Sequence, residues 1–256
     1  MAPLTRTHPV DFGRQQNGAA DVATCLPDQD DNAVRKRAAA CAAVAEIEDG
    51  MLVGLGTGTT ANYAIAALGE RVAAGLKVTT VATSLATCRA AEAGGLPVLS
   101  FDTLARLDLA IDGADEIDPQ LRAIKGKGGA MLREKIVAAA ATRMIVVVDA
   151  GKQVTRLGRG ALPVEVLTFG AAFVTDRLKR LGATVSLRMA GGASYRTDQG
   201  NMVLDCGFGA IDDPEALALA LSATPGVLGH GLFLDEIDVA FVGGSNGVIQ
   251  LSRGAS

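Results

Sequence analysis

The chain has 256 residues, room for one large domain or two small ones, and its 49% hydrophobic and 20% charged content excludes a disordered chain. Folded and unfolded surfaces scale so that a chain of this size buries roughly 70% of its area, so the core needs neither a metal nor a disulfide. A net charge of −4, aromatics at 4% and no Trp leave neither a basic footprint nor stacking platforms for nucleic acid.

Residues 1–30 are rich in Pro, Gly, Asp and Gln with little periodicity, and read as a mobile extension without the apolar core of a secretory leader. Asp30 or Asp31 then caps a helix through VRKRAAACAAVAEIE, with Gly50 placed to end it. MLVGLG (51–56) is a short strand feeding a Gly/Thr loop, and ANYAIAALGE a helix. KVTTVATS (77–84) is a β-branched strand, Ser84 or Thr83 caps a helix to about Glu92, and PVLSF is a further strand. LDLAI (107–111) runs into DGADEID, and IKGKGGAM into the helix LREKIVAAAATR. MIVVVDAG (144–151) is wholly apolar until its polar end. Apolar strands alternating with helices imply a parallel sheet covered on both faces.

After Leu157 the pattern changes. VEVL, the helix AAFVTDRLKRLG, TVSLRM, NMVLDCGF, a helix capped by Asp213 with Pro214 at its first position, and VLGHGLF give the order β-α-β-β-α-β, a ferredoxin-like arrangement. IDVAFVGG and GVIQLS then rejoin the first sheet.

Four Cys, at 25, 41, 88 and 206, contain no CxxC pair and are expected as reduced thiols of a cytoplasmic protein. His8 and His230 are too few for a His-based zinc site, and a Ser-His-Asp triad could use only His230 without any G-x-S-x-G elbow. No apolar run is long enough to span a membrane.

Four loops follow strands of the first sheet, at the end where open α/β sheets bind ligands. Gly54-Leu-Gly56-Thr57-Gly58-Thr59-Thr60 offers glycine backbone, a helix N-terminus and three hydroxyls. It reads as a phosphate loop, a loose dinucleotide pattern or a structural tight turn. Asp112, Asp115 and Glu116 set three acids within five residues, suited to hydroxyl protons, to a cation or to a solvated turn. Lys125-Gly126-Lys127-Gly128-Gly129 precedes a helix with Glu134 in its first turn; a Lys there suits an oxyanion, and Glu134 serves equally as a base or as a partner of the helix dipole. Lys152 follows the 144–151 strand and could meet a second anionic group or solvent. Together these groups suit proton transfer beside a carbonyl of a small phosphorylated molecule.

GLGTGTTA, DGADEID, IKGKGGAMLREKIV, VDAGKQV, LPVEV, TDQGN and PGV-x4-GLF, in this order over about residues 31–251, resemble ribose-5-phosphate isomerase of the A type. The resemblance implies a Rossmann-like parallel sheet covered by helices, with an inserted ferredoxin-like α+β lid. The boundaries are then 31–157 plus 233–256 for the catalytic domain and 158–232 for the lid. It implies interconversion of ribose 5-phosphate and ribulose 5-phosphate through an enediol, without metal or cofactor, and a homodimer. Carried onto this sequence, substrate contacts fall on Thr57, Gly58, Thr59 and Thr60, on Asp112, Gly113, Ala114 and Asp115, on Lys125, Gly126, Lys127 and Gly128, and on Lys152. The base falls on Glu134, with Asp112, Asp115 and Lys125 completing the catalytic set. Three departures stand out: Lys127 replaces the usual Gly, Thr60 a Ser and Gln199 an Asn. Lys127 is read as facing solvent, since Gly126, Gly128 and Gly129 remain to supply the loop's geometry. Two rival readings stand beside this one, the first on a similar fold and the second sharing glycine loops and an active Glu. A sugar-phosphate-sensing effector would need a DNA-binding segment upstream, for which a 30-residue, net acidic extension is too short. A CoA transferase would form a covalent glutamyl thioester.

Overall fold

A computed structural model describes residues 5–6 and 31–254. The expected mobile extension lies outside these residues, apart from Thr5 and Arg6, which pair with the last strand. The first sheet contains β1 (Leu52–Leu55), β2 (Thr79–Ala82), β3 (Val98–Leu99), β4 (Leu107–Gly113) and β5 (Ala141–Asp149). A smaller sheet holds β6 (Leu162–Val166), β7 (Thr184–Leu187), β8 (Met202–Gly207) and β9 (Val227–His230), and the chain then returns to the first sheet through β10 (Val239–Gly244) and β11 (Gly247–Ser252). Six helices connect them: α1 (Asp31–Ala45), α2 (Thr59–Ala73), α3 (Leu85–Ala93), α4 (Met131–Ala140), α5 (Ala171–Arg180) and α6 (Pro214–Ser222).

The first sheet runs β3-β2-β1-β4-β5-β10-β11 with Thr5–Arg6 at the far edge, parallel except for the β10–β11 hairpin and that antiparallel edge. Strand order therefore reverses between β1 and β4, which opens a crevice at their carboxyl ends. Alternation along the strands separates two cores. Ile145 and Val147 of β5, with Val239 and Phe241 of β10, face α1 and α2. Met144, Val146 and Val148, with Ala240 and Val242, face Met131, Val137 and Ala138 of α4. The smaller sheet runs β7-β8-β6-β9, the expected ferredoxin-like order, and α5 and α6 cover one face through Val174, Leu178 and Leu221. Its β6 and β9 strands pack against α4 from the other side. Helix α4 is thus held between two sheets, which is why so polar a segment as LREK carries a buried carboxylate.

Some expected boundaries shift. Helix α1 ends at Ala45, and Gly50 (φ 85°) instead turns the chain into β1. The strand expected over VLGHGLF divides at Gly231, where a Cβ would sit 2.1 Å from Lys125 O; Leu232–Phe233 leave the smaller sheet to pair with Ala123–Ile124. TVSLRM likewise breaks at Arg188. Cys41, Cys88 and Cys206 are free thiols; Cys25 lies outside the described residues.

The β1–β4 register sets Leu55 beside Ile111 and so Gly56 beside Asp112. A Cβ on Gly56 would lie 1.9 Å from Asp112 Oδ1, and Asp112 is buried with nowhere to retreat. Gly56→Ala is therefore expected to destabilise the fold by about 1–3 kcal/mol, the usual cost of overpacking, measured as a lowered urea midpoint at unchanged slope.

Candidate active site

The crevice at the β1–β4 switch point is a cavity of about 370 Å³. Its wall contains Thr57, Gly58, Thr59, Thr60, Gly113, Ala114, Asp115, Lys125, Gly126, Lys127, Gly128, Glu134 and Lys152, all expected from the sequence, with Lys36 in addition. A larger cavity, about 470 Å³, lies beside it, but its lining is mainly Leu85, Val98, Leu99, Phe101 and Ile136, and it gathers no set of acids and bases.

One end of the polar cavity is built for an anion. Gly58 (φ 122°) precedes α2, and the helical ladder begins only with Asn62 N–H donating to Gly58 O, so the N–H groups of Thr59, Thr60 and Ala61 precede the ladder at a positive helix end. The Thr57 hydroxyl does not join them. It bonds Thr83 Oγ1 at 2.8 Å, Ser84 Oγ at 2.9 Å and Thr87 Oγ1 at 3.0 Å, and so ties the loop to the N-terminus of α3. Thr59 and Thr60 keep theirs for the cavity. Across from them, Asp149 Oδ1 accepts the Gly151 N–H and shapes the single turn that presents Lys152. Lys36 reaches the same region from α1, 3.8 Å from Asp149 Oδ2. Sequence reasoning passed over Lys36 because a lysine in a helix of mixed polarity carries no local mark.

The other end holds a buried charge cluster. Asp112, Lys125 and Glu134 are 3%, 2% and 3% exposed. Asp112 Oδ1 accepts the N–H groups of Gly113 at 2.7 Å and Thr57 at 3.1 Å. Asp112 Oδ2 lies 2.7 Å from Lys125 Nζ, which also donates to Gly113 O. Glu134 Oε2 is 3.2 Å from the same ammonium, yet makes no well-directed hydrogen bond, so this contact is chiefly ionic. The cluster carries two potential negative charges against one positive. Burial, reinforced by the Asp112 charge, pushes the Glu134 carboxyl up from 4.5 to about 8 although Lys125 opposes it. Burial also raises Asp112 against the pull of Lys125. For Lys125, burial works against the charge, but Asp112 and then Glu134 outweigh it and hold the ammonium above its ordinary value.

The glycine loop joins the two ends. Gly126 (φ 108°) and Gly129 (φ 76°) take the left-handed backbone that the loop requires. Lys127 does not; its N–H donates to Asp115 Oδ2 at 2.9 Å and its residue is exposed at the cavity mouth. Asp115 thereby spends one oxygen on the loop. Glu116, the third acid of the DGADE run, stands apart from the chemistry: its carboxylate accepts the N–H groups of Gly158, Arg159 and Gly160 and anchors the crossing into the smaller sheet.

His230, the remaining candidate nucleophile partner, lies elsewhere. Its Nδ1 accepts the Leu232 N–H at 3.3 Å, so its proton sits on Nε2, 3.1 Å from Ser222 Oγ. Burial, with Lys135 nearby, lowers the imidazole to about 4. An imidazole that donates to a serine cannot take that serine's proton, so Ser222 is not activated.

Comparison with known proteins gives one consistent answer. A sequence model for Ribose 5-phosphate isomerase A (phosphoriboisomerase A) matches residues 79–247. The ribose-5-phosphate isomerase A of Sphingopyxis alaskensis is 51% identical over 219 residues, 86% of this chain and 96% of its own. That of a Roseiflexus species is 51% identical over 226 residues, 87% and 97% of the two chains. Among solved structures, a D-ribose-5-phosphate isomerase in complex with phospho-erythronic acid superposes with a TM-score of 0.84 at 37% identity, covering 87% of this chain and 99% of that one. The Methanocaldococcus jannaschii enzyme gives 0.82 at 36%, covering 86% and 98%. With a family model matching residues 79–247 and relatives 51% identical over most of both chains, the chain belongs to the ribose-5-phosphate isomerase A family.

Proposed function

We propose that this site interconverts D-ribose 5-phosphate and D-ribulose 5-phosphate, the aldose–ketose isomerisation of the pentose phosphate pathway, with Glu134 as the base. The observation that carries the reading is a carboxylate 3% exposed, facing a polar cavity and 3.2 Å from a buried ammonium. In the open-chain aldose, Glu134 removes the proton from C2 and returns it to C1. The hydroxyl proton on O2 is given up as the one on O1 is gained, so the enediolate passes between two carbonyl forms without net redox change. Lys125 faces the oxygen that gains charge, where a fixed cation in a dry site is most effective. Asp115, in the cavity wall, holds a hydroxyl and assists ring opening, while Asp112, its oxygens taken by the Thr57 and Gly113 N–H groups and by Lys125, holds that ammonium in place. The phosphate occupies the α2 N-terminus with Thr59, Thr60, Lys36 and Lys152. Thr57, Gly58, Gly113, Ala114, Gly126, Lys127 and Gly128 complete the substrate wall. Phospho-erythronic acid, seen on a relative, fits this division, with its carboxylate toward Lys125 and its phosphate toward α2.

The division into a catalytic domain (31–157 and 233–256) and a lid (158–232), the homodimer and a cytoplasmic location are part of the same reading; among the described residues no helix is long and apolar enough to cross a membrane. An effector domain without catalysis is not favoured, since the relatives named above are enzymes.

A coupled assay with ribose 5-phosphate, before and after thorough chelation, tests the function directly. Turnover that survives chelation is expected, and turnover restored only by a divalent ion would sink the metal-free route. Glu134→Gln keeps the shape but cannot accept a proton, so kcat should fall by about 10²–10⁴ while phospho-erythronic acid still binds; a kcat within a few-fold of wild type removes Glu134 from the role.

The raised Glu134 carboxyl gives a pH dependence with a definite sign. The base works only when ionised, so kcat/KM, which reports the free enzyme, should rise with pH through about 8 and not through 4.5. A folded-state value above the unfolded one also means that this group's stabilisation is complete below 4.5 and lost as pH rises to about 8. The thermal midpoint of Glu134→Gln should therefore decline less over that window than that of wild type. Lys127, exposed and free of backbone strain, contributes little: Lys127→Gly should change KM by less than about threefold, and a tenfold rise that shrinks with salt would make it a substrate contact.

A further inference from the structure

Two side chains of the short hairpin that follows β7 grip the glycine loop. Arg188 lies in the break after β7, its side chain 13% exposed. Its Nε donates to Asp205 Oδ2 at 3.0 Å and its Nη2 to Asp205 Oδ1, which locks the guanidinium plane against β8. Nη1 is left for the loop, and donates to Gly126 O at 2.8 Å and to Lys127 O at 3.1 Å. Tyr195, its ring centroid 5.8 Å from the guanidinium, donates its hydroxyl to Gly128 O at 3.1 Å. Tyr195 N–H bonds Arg188 O at 2.9 Å, so both side chains project from one closed hairpin. The fit is close: a Cβ on Gly129 would fall 2.3 Å from Tyr195 Oη. Three successive carbonyls of the loop are thus held from this hairpin.

A trans peptide points its C=O and the following N–H in opposite directions. Fixing the carbonyls of Gly126, Lys127 and Gly128 therefore fixes the N–H groups of Lys127, Gly128 and Gly129. The first donates to Asp115 Oδ2 and the third to Gly126 O, both at 2.9 Å. The second belongs to a residue that lines the substrate cavity and has no side chain to offer it.

We propose that Arg188 and Tyr195 are positioning residues of the isomerase site, which turn the Gly128 N–H into the cavity as a second donor, beside Lys125, to the enediolate oxygen. The proposal rests on the isomerase reading. It makes the smaller sheet part of the catalytic device and not merely a cover. A second consequence is that Asp205, which is not in the wall of the substrate cavity, acts through Arg188.

The test is steady-state kinetics on Arg188→Ala with ribose 5-phosphate, together with binding of two probes, phospho-erythronic acid and inorganic phosphate. Losing an oxyanion donor outright costs about 10²–10³ in rate, so loosening one should lower kcat by at least about tenfold with KM within about threefold. Methylguanidine added to the variant should restore part of kcat. Affinity for phospho-erythronic acid, whose carboxylate needs the donor, should fall, and affinity for phosphate should hold. A folded Arg188→Ala with kcat within about twofold of wild type overturns the proposal, as does equal loss of both probes, which would mark a general collapse. If Arg188→Ala fails to fold, Tyr195→Phe decides: a several-fold lower kcat supports the clamp, and an unchanged kcat overturns it. Wild-type turnover in the same assay separates the two readings. If it is absent, the isomerase reading fails and the clamp with it; if it is present and the variants are unchanged, the clamp alone fails.

Discussion

A lysine ammonium buried between two carboxylates governs the rest of this molecule. Lys125 is 2% exposed and has Asp112 at 2.7 Å and Glu134 at 3.2 Å. Burying any one of these charges alone would cost several kcal/mol, and a single pair barely repays its own desolvation. Three together leave one surplus negative charge. The structure answers it in two ways. Asp112 is saturated with backbone N–H donors as well as the ammonium, and Glu134 is left with poorly directed contacts and a raised affinity for a proton. The roles proposed above follow this asymmetry: the saturated acid holds geometry, and the under-served acid is the one whose proton moves.

Maintaining that cluster dictates much of the architecture. Glu134 is dry because α4 is pressed between the parallel sheet and the smaller sheet, so the smaller sheet keeps water from that carboxylate. Asp112 is within reach because β4 lies next to β1 at the switch point and because Gly56 has no Cβ to push it away. Lys125 enters beside them because Gly231 lets the returning chain pass against its carbonyl. Each close approach is made by a glycine, and none of these glycines could be replaced without moving a charged group.

The chain is acidic overall, with a net charge of −4, yet its ligand is anionic. Long-range attraction does not gather the substrate; short-range features do. A helix N-terminus, two hydroxyls and the lysines at positions 36 and 152 form a compact positive end. The negative end, where Asp115 and Glu134 line the wall and Asp112 lies buried behind Lys125, is across the same cavity. In the function proposed above, a phosphorylated sugar lies along this gradient with its phosphate at α2 and its reacting carbons at Glu134.

How much of this was legible in the residues depends on distance along the chain. Local rules placed nearly every strand and helix, the Ser84 and Asp213 caps, the β-α-β-β-α-β insertion and the return of the last two strands, because periodicity and capping act over a few residues. The four ligand loops were legible for the same reason: glycines and charges at the carboxyl ends of strands. Spacing alone left Glu134 as either a base or a first-turn acid, and only the resemblance chose between them. The tertiary structure decided what depends on partners far away. Thr57 gives its hydroxyl to residues 26 to 30 positions on. Glu116 serves amides 42 to 44 positions on. Arg188 and Tyr195 reach the glycine loop across more than 60 residues, and Lys36 meets the cavity from the first helix. Sequence by itself determined which chemistry the chain could carry, since residue type sets donors, acceptors and charge. Which of two equally buried acids holds a proton near neutral pH was decided only by packing, because the donors aimed at each carboxylate are a property of the surroundings and not of the residue.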